Sequence, residues 1–157
     1  MKSVPLPLDA RAKERRLEEL QCRCRALGVP LTRQRRTILR AVLDLDCHPT
    51  ADQVYSSPAV RRARISRATV YRTLESLVRM GAITKACHTG GVVRYDGRTA
   101  IHHHLVCLRC DAVADIADAR LDTLPVPDTS AFGFEVRDFR VQLRGLCRRC
   151  RTEEDMQ

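Results

Sequence analysis

Two cysteine pairs of identical spacing, Cys107-x-x-Cys110 and Cys147-x-x-Cys150, constrain this chain more than any other feature. A two-residue gap lets both thiolates of a knuckle reach one ion, and two knuckles complete a tetrahedron. Four sulfurs leave no open position, so the expected occupant is structural zinc with no catalytic role. The stretch from Asp111 to Leu146 is longer than in a usual zinc ribbon, so a small sheet has to fit between the knuckles. The competing chemistries are a redox Cys-x-x-Cys and an iron–sulfur cluster. Four thiolates without a thioredoxin-like βαβ pattern favour zinc.

With 157 residues the chain holds one ordinary domain or two small ones, and small domains often need a metal or a dimer partner as a staple. No apolar run is long enough to span a membrane, and Met1 to Pro7 lacks the layout of a secretory signal. The expectation is a cytoplasmic protein with no membrane partner. Thiols stay reduced there, so its eight cysteines read as ligands or buried thiols rather than disulfides. Cys22, Cys24, Cys47 and Cys87 stand outside the pairs and are expected to be small buried hydrophobes, with no role assigned to His88.

Charge divides the chain. Residues 1–85 hold 18 Lys+Arg against 8 Asp+Glu, and residues 86–157 hold 10 against 11, out of a net charge of +9. One part is therefore suited to a polyanion, and nucleic acid fits better than a membrane surface because no exposed aromatic face accompanies the bases.

Residues 9–27 carry a helical stripe of Leu17, Leu20, Cys24 and Leu27, ended by Gly28 and Pro30. Thr32 can cap a helix from Arg33 to about Asp46, with Ile38, Val42 and Leu45 inward. His48-Pro49-Thr50 forms a turn into a short helix through Tyr55, and Pro58 marks an end or a new start. Ser66 caps residues 67–80, whose buried face is Val70, Leu74, Leu77 and Val78. Ile83–His88 and Val92–Asp96 around Thr89-Gly90-Gly91 predict a hairpin. Helices followed by such a hairpin make a winged helix, with the last helix in the major groove. Beyond Ile101 the period becomes two, predicting strands at His104–Cys107 and Ala112–Ile116. A short helix at about Ala117–Leu124 follows, then one long or two short strands over Phe134–Leu146, and a frayed acidic end from Thr152. The fold class is α+β. The domains are a DNA-binding winged helix over 1–96 and a metal-binding domain over 97–157.

A second donor set is made of nitrogen and oxygen. On a strand His102 and His104 point the same way and His103 faces away, so the first two can share a metal. Asp115 lies on the neighbouring strand, Asp96 at the end of the wing, and His48 in the turn before the third helix. Three imidazoles and two carboxylates suit iron(II) or manganese(II), with zinc able to compete. Each member alone reads more readily as ordinary surface or a cap, and a metal site requires the five to converge.

Leu31-Thr32-Arg33-Gln34-Arg35, His48-Pro49-Thr50-Ala51-Asp52-Gln53-Val54-Tyr55, Ala68-Thr69-Val70-Tyr71-Arg72-Thr73-Leu74, His102-His103-His104-Leu105-Val106-Cys107 and Gly145-Leu146-Cys147 follow in one order. Together they resemble the ferric uptake regulator superfamily over about residues 12 to 150. The resemblance implies a homodimer with a C-terminal α/β dimerisation domain. It implies structural zinc on the two cysteine pairs, and a sensing metal at a hinge, with His48, Asp96, His102, His104 and Asp115 on the ligand positions. Asp115 matches the peroxide-sensing branch, where iron-uptake regulators usually carry Glu, and Asp96 is not the Cys of zinc-uptake regulators. Ile101, His103 and Phe139 replace the usual ligands of a further iron-regulator site. Arg33 stands where Pro is common, and Arg144 where an aromatic is common.

The implied function is a metal-dependent repressor of peroxide-stress or metal-homeostasis genes on a palindromic duplex operator, and not an enzyme. Tyr71 is the candidate base contact, through a thymine methyl, with Thr69 and Arg72 beside it. Arg33, Arg35, Arg36 and Lys85 are candidates for phosphates. If iron(II) is bound, His48 and His102 are the family's oxidation positions. An iron- or zinc-uptake regulator without peroxide chemistry is the alternative. A metallohydrolase on the His/Asp set is the rival from another class, but it lacks a candidate general base beyond the ligands.

Overall fold

A computed structural model describes residues 8–45, 48–89 and 92–154. The chain divides into two compact units, one ending at Thr99 and the other running on from Ala100.

In the first unit the helices run α1 (Ala10–Ala26), α2 (Arg33–Asp44), α3 (Ala51–Ser56), α4 (Pro58–Arg62) and α5 (Arg67–Arg79). Hydrogen bonds from the first-turn amides to side chains start most of them: Asp9 caps α1, Thr32 caps α2, Ser66 caps α5, and Thr50 with Gln53 closes a capping box on α3. Pro58 opens α4, so it is a new start. Leu17, Leu20, Ile38, Leu39, Val54, Val70, Leu74 and Leu77 interlock as the core. Leu27, last of the α1 stripe, is the exposed C-cap, and Leu45 and Val78 are only partly buried. A two-stranded antiparallel sheet follows, β1 (Thr84–Thr89) and β2 (Val92–Asp96), with a register shift between Ala86 and His88 that twists the wing. This is a winged helix. Asp46 and Cys47, Gly90 and Gly91 where the hairpin turn is expected, and the side chains of Cys87, His88 and Thr89 lie outside the described residues.

The second unit is a three-stranded sheet in the order β4-β3-β5, from β3 (His103–Cys107), β4 (Val113–Ile116) and β5 (Gln142–Gly145), with helices α6 (Ala119–Asp122) and α7 (Arg148–Glu154). β3 pairs antiparallel with β4 and parallel with β5. Two expectations are corrected. The strand foreseen over Phe134–Leu146 is only four residues long, because β3 offers partners to Gln142–Gly145 alone; Phe134 stands 73% exposed, ahead of any ladder. Of the end expected to fray from Thr152, Thr152–Glu154 instead continue a helix from Arg148, anchored where the Arg151 amide donates to the Cys147 carbonyl at 3.0 Å, and Asp155–Gln157 lie outside the described residues. Among the described residues no helix is long and apolar enough to cross a membrane.

Candidate metal centres and nucleic-acid surface

β3 ends on Cys107, whose carbonyl accepts from the Asp111 amide at 3.0 Å while Asp111 turns through a left-handed φ of 54°. That tight turn brings Cys110 back beside Cys107. Parallel pairing sets Gly145 opposite Cys107, and the Leu108 amide donates to the Gly145 carbonyl at 2.8 Å, which delivers the second knuckle to the first. All four sulfurs lie within 4.8 Å of one another. Cys110 and Cys147 Sγ are 3.8 Å apart. Four zinc–sulfur bonds of about 2.3 Å require a tetrahedral edge of about 3.8 Å, so the geometry fits zinc. The amide of Cys147, then those of Cys110 and Arg109, pull the Cys107 thiol down to about 6, whereas burial pushes Cys150 up to about 12. A bound dication overrides the second effect, since a coordinating thiol is deprotonated outright.

The first unit supplies His48 and Asp96. His48 sits at φ 49°, a left-handed conformation in which His is among the few tolerated side chains. Its carbonyl accepts from Arg94 Nη1 at 3.2 Å, and the Tyr95 amide donates to the Pro49 carbonyl at 2.9 Å, so the turn is fastened along β2. Asp96 ends that strand, with Oδ1 accepting the Arg98 amide at 2.7 Å and Oδ2 lying 3.8 Å from His48 Nε2. Both side chains are buried. Arg16 of α1 donates to the carbonyls of Gly97 and Ala82, at 3.1 and 2.6 Å, and holds the two ends of the wing together. A Cβ at Gly97 would fall 2.6 Å from Cδ2 of the buried Leu43, so a larger residue there would have to push that core side chain of α2 aside.

The second unit supplies His102, His104 and Asp115. The two imidazoles share a face of β3, edge to face at 4.7 Å, and their Nε2 atoms stand 3.5 and 3.7 Å from Asp115 Oδ1. His104 and Asp115 are cross-strand partners. His102 Nδ1 donates to the Ala100 carbonyl at 2.8 Å, which leaves Nε2 as the lone-pair nitrogen a metal needs. These separations are longer than hydrogen bonds and approach the edge of about 3.4 Å set by tetrahedral bonds of about 2.1 Å.

His103 points the other way and is wholly buried. Its Nδ1 accepts the Val141 amide at 3.0 Å, so Nε2 carries the proton and donates to Asp122 at 3.0 Å, with Phe139 stacked against the ring. Direct protein contacts thus join residues that the sequence marked only as departures from a metal-binding pattern.

On the surface α5 presents Thr69, Tyr71 and Arg72 from its first turns. The Tyr71 phenol donates to Asp52 at 3.1 Å, Arg67 pairs with Asp52 at 2.7 Å and lies 6.0 Å from the Tyr71 ring centre, and Arg72 reaches Thr69 Oγ1 at 3.5 Å. Lys85 on the wing pairs with Glu75 at 2.9 Å, and Glu75 also accepts the Tyr95 phenol at 3.1 Å. That lysine and that phenol hold the Glu75 carboxyl below the ordinary range. On α2, Arg36 pairs with Glu14 at 3.3 Å, Arg35 donates to the Pro30 carbonyl, and Arg33 is exposed.

A model of the ferric uptake regulator family matches residues 26–144. The chain belongs to that family. It is 33% identical to the ferric uptake regulation protein of Bacillus subtilis, over 90% of this chain and 98% of the relative. It is 30% identical to the peroxide-responsive repressor PerR of Staphylococcus epidermidis, over 87% of this chain and 91% of the relative. The ferric uptake regulator from Francisella tularensis, solved with iron, superposes with a TM-score of 0.65 at 25% identity, covering 79% of this chain and 96% of that one.

Three features of this family member escaped the sequence. The His103–Asp122 and His103–Val141 contacts join residues 19 and 38 positions apart, and only the inward-facing parity of His103 hinted at a buried role. The Tyr95–Glu75–Lys85 link between wing and α5 had no signal beyond complementary charge. Arg94, which holds the His48 turn, read as one more surface cation.

Proposed function

We propose that this chain is a metal-dependent, DNA-binding transcription repressor in which two donor sets of different softness do different work. Cys107, Cys110, Cys147 and Cys150 hold structural zinc, which the four-sulfur geometry of one unit supports. His48 and Asp96 from one unit, with His102, His104 and Asp115 from the other, hold a regulatory iron(II) or manganese(II), with zinc as a substitute. The union of these two half-sites on one ion is carried over from the family resemblance. Each half-site's closely spaced donors, all buried but the partly buried Asp115, support it.

The domain boundary is placed at residue 96, so that the Asp96 ligand ends the DNA-binding part. When the ligands engage the ion, the two parts are held in the closed arrangement of a cytoplasmic homodimer. Its recognition helices then match successive major grooves of a palindromic operator. Exposed Leu105, Leu143, Leu124 and Val126 on the second unit support a partner subunit there. Tyr71 reads a thymine methyl, Thr69 and Arg72 flank it, and Arg33, Arg35, Arg36 and Lys85 meet phosphates. On DNA, Asp52 and Glu75 would give up Tyr71 and Lys85, exposed pairings that cost little to break.

The observation that carries this reading is the family match, together with both donor sets in place on their own elements. Asp115 and the His103–Asp122 contact favour the peroxide-sensing branch. Hydrogen peroxide then supplies one oxygen to an imidazole carbon of His48 or His102 and leaves as water. An iron-uptake regulator without that chemistry is the second reading, favoured by the identity to the Bacillus subtilis protein. The test is duplex binding by the full chain under anaerobic iron(II), manganese(II) or zinc(II), followed by a peroxide pulse. Metal-dependent, salt-sensitive binding is expected, then its loss with one added oxygen on the peptides holding His48 and His102. Oxidation confined to cysteines leaves the iron-uptake reading; binding indifferent to metal rejects both.

A further inference from the structure

Between Asp52 and Glu75 the chain has no acidic residue and five arginines: Arg61, Arg62, Arg64, Arg67 and Arg72. Arg67 and Arg72 belong to α5 and have side-chain partners, Asp52 on α3 and Thr69 on α5. Arg62 and Arg64 belong to the end of α4 and the turn after it. Together with Arg33, at the opening of α2, they line a concavity of about 350 Å³ whose other polar walls are Thr32, Gln34 and Thr37. Among the described residues no carboxylate pairs with Arg33, Arg62 or Arg64. That sets them apart from Arg36, Lys85 and Tyr71, each tied to an acid. Three arginines lining one open hollow bring like charges together, and an anion placed among them relieves that repulsion.

Position identifies the anion. Arg64 precedes Ser66, the N-cap of α5, by two residues, at most about 7 Å of extended chain. A duplex that receives the first turn of α5 in its major groove therefore brings a strand of its backbone close to this turn. Phosphate oxygens match guanidinium geometry and can accept bidentate contacts. Thr32, Arg33 and Gln34, the cap and opening residues of α2, line the same hollow, and a helix N-terminus favours the same sign of charge.

We infer that Arg62 and Arg64, opposite Arg33, form a phosphate clamp on the DNA backbone beside the bases read by α5, adding affinity without sequence preference. This rests on the repressor reading and adds two residues to its DNA-facing surface. Operator affinity should therefore respond to these arginines through salt rather than through sequence.

Two substitutions test it without threatening the fold. Arg64 lies at φ 52°, where glycine is unstrained, and Arg62 is exposed in the last turn of α4, where alanine is a good helix former. Full-length, zinc- and manganese-loaded wild type, R62A, R64G and the double variant are titrated against two duplexes across a salt series. One duplex is selected by the wild type from a randomised pool, and the other is of random sequence. The double variant is expected to bind both duplexes about tenfold more weakly at moderate salt. Its log–log salt slope should be shallower by about one for each phosphate no longer neutralised, with selectivity between the duplexes unchanged. An unchanged slope, or a weakening confined to the selected duplex, overturns the clamp. Failure of the wild type itself to hold any duplex overturns this and the repressor reading together.

Discussion

Among the described residues, eighteen buried side chains form one apolar core in the unit that ends at Thr99, whereas beyond Ala100 the buried apolar set is Val106, Cys107 and Cys150. The remaining buried side chains of that second unit are His102, His103 and His104. One part of the molecule is held by hydrophobic burial, and the other has polar and sulfur groups where a core would be. A unit of fewer than about 70 residues built that way needs a staple, and four thiolates supply it. The two parts should therefore fail under different insults.

Removing zinc has the largest expected effect. Chelation, or Cys110→Ser, should melt β3, β4 and β5 while α1–α5 persist, since structural zinc in small domains contributes on the order of 10 kcal/mol or more. Amide exchange followed separately up to Thr99 and beyond Ala100 decides it. Equal loss of protection in both parts would refute the contrast. Leu20→Ala is the converse insult: Leu20 is fully buried on α1, and its truncation should cost about 2–5 kcal/mol in the first unit. Bound zinc, counted by metal analysis, should be unchanged.

A smaller effect sharpens the account of the second unit. His103→Phe keeps the bulk of a ring but strands the Val141 amide, at a cost of about 1–3 kcal/mol. Faster exchange at Val141 and weaker β3–β5 pairing should appear with zinc retained. Smallest is an alkaline limb in the first unit. Burial, and then Glu75, raise the Tyr95 phenol to about 12, above the value near 10 of an unfolded chain. A raised folded value means that this contribution is whole below about pH 10 and is lost as pH climbs toward 12. Tyr95→Phe should flatten that limb, and ultraviolet titration should find a phenol that ionises at about 12 in the wild type and is missing from the variant.

The helices were legible because local causes specify them. Leu17, Leu20 and Cys24 keep a helical period, and Thr32, Thr50 and Ser66 cap wherever they fall before such a stripe. The alternation that sends His102 and His104 one way and His103 the other is equally local. The stretch after Pro127 was not legible, since its strand length depends on what β3 presents, and that is set 38 residues earlier. Helix α7 was missed because it is short and polar, with charge where a periodic apolar face would have marked it. For the site, donor types and parity could be read directly. The Arg94 brace on His48 and the Arg16 brace on the wing could not, because side chain-to-carbonyl bonds leave no pattern in sequence.

Parallel pairing of β5 with β3 has a consequence during synthesis. Cys107 and Cys147 are 40 residues apart, and no local hairpin can bring them together. At about 5–20 residues per second, the first knuckle waits roughly 2–8 s as a bare dithiol before the second is made. By then the α1–β2 stretch is already available to collapse on its own side chains. The newborn chain therefore passes through an interval in which its N-terminal part can be complete while the two thiols of its first knuckle are open to oxidants or to the wrong cation.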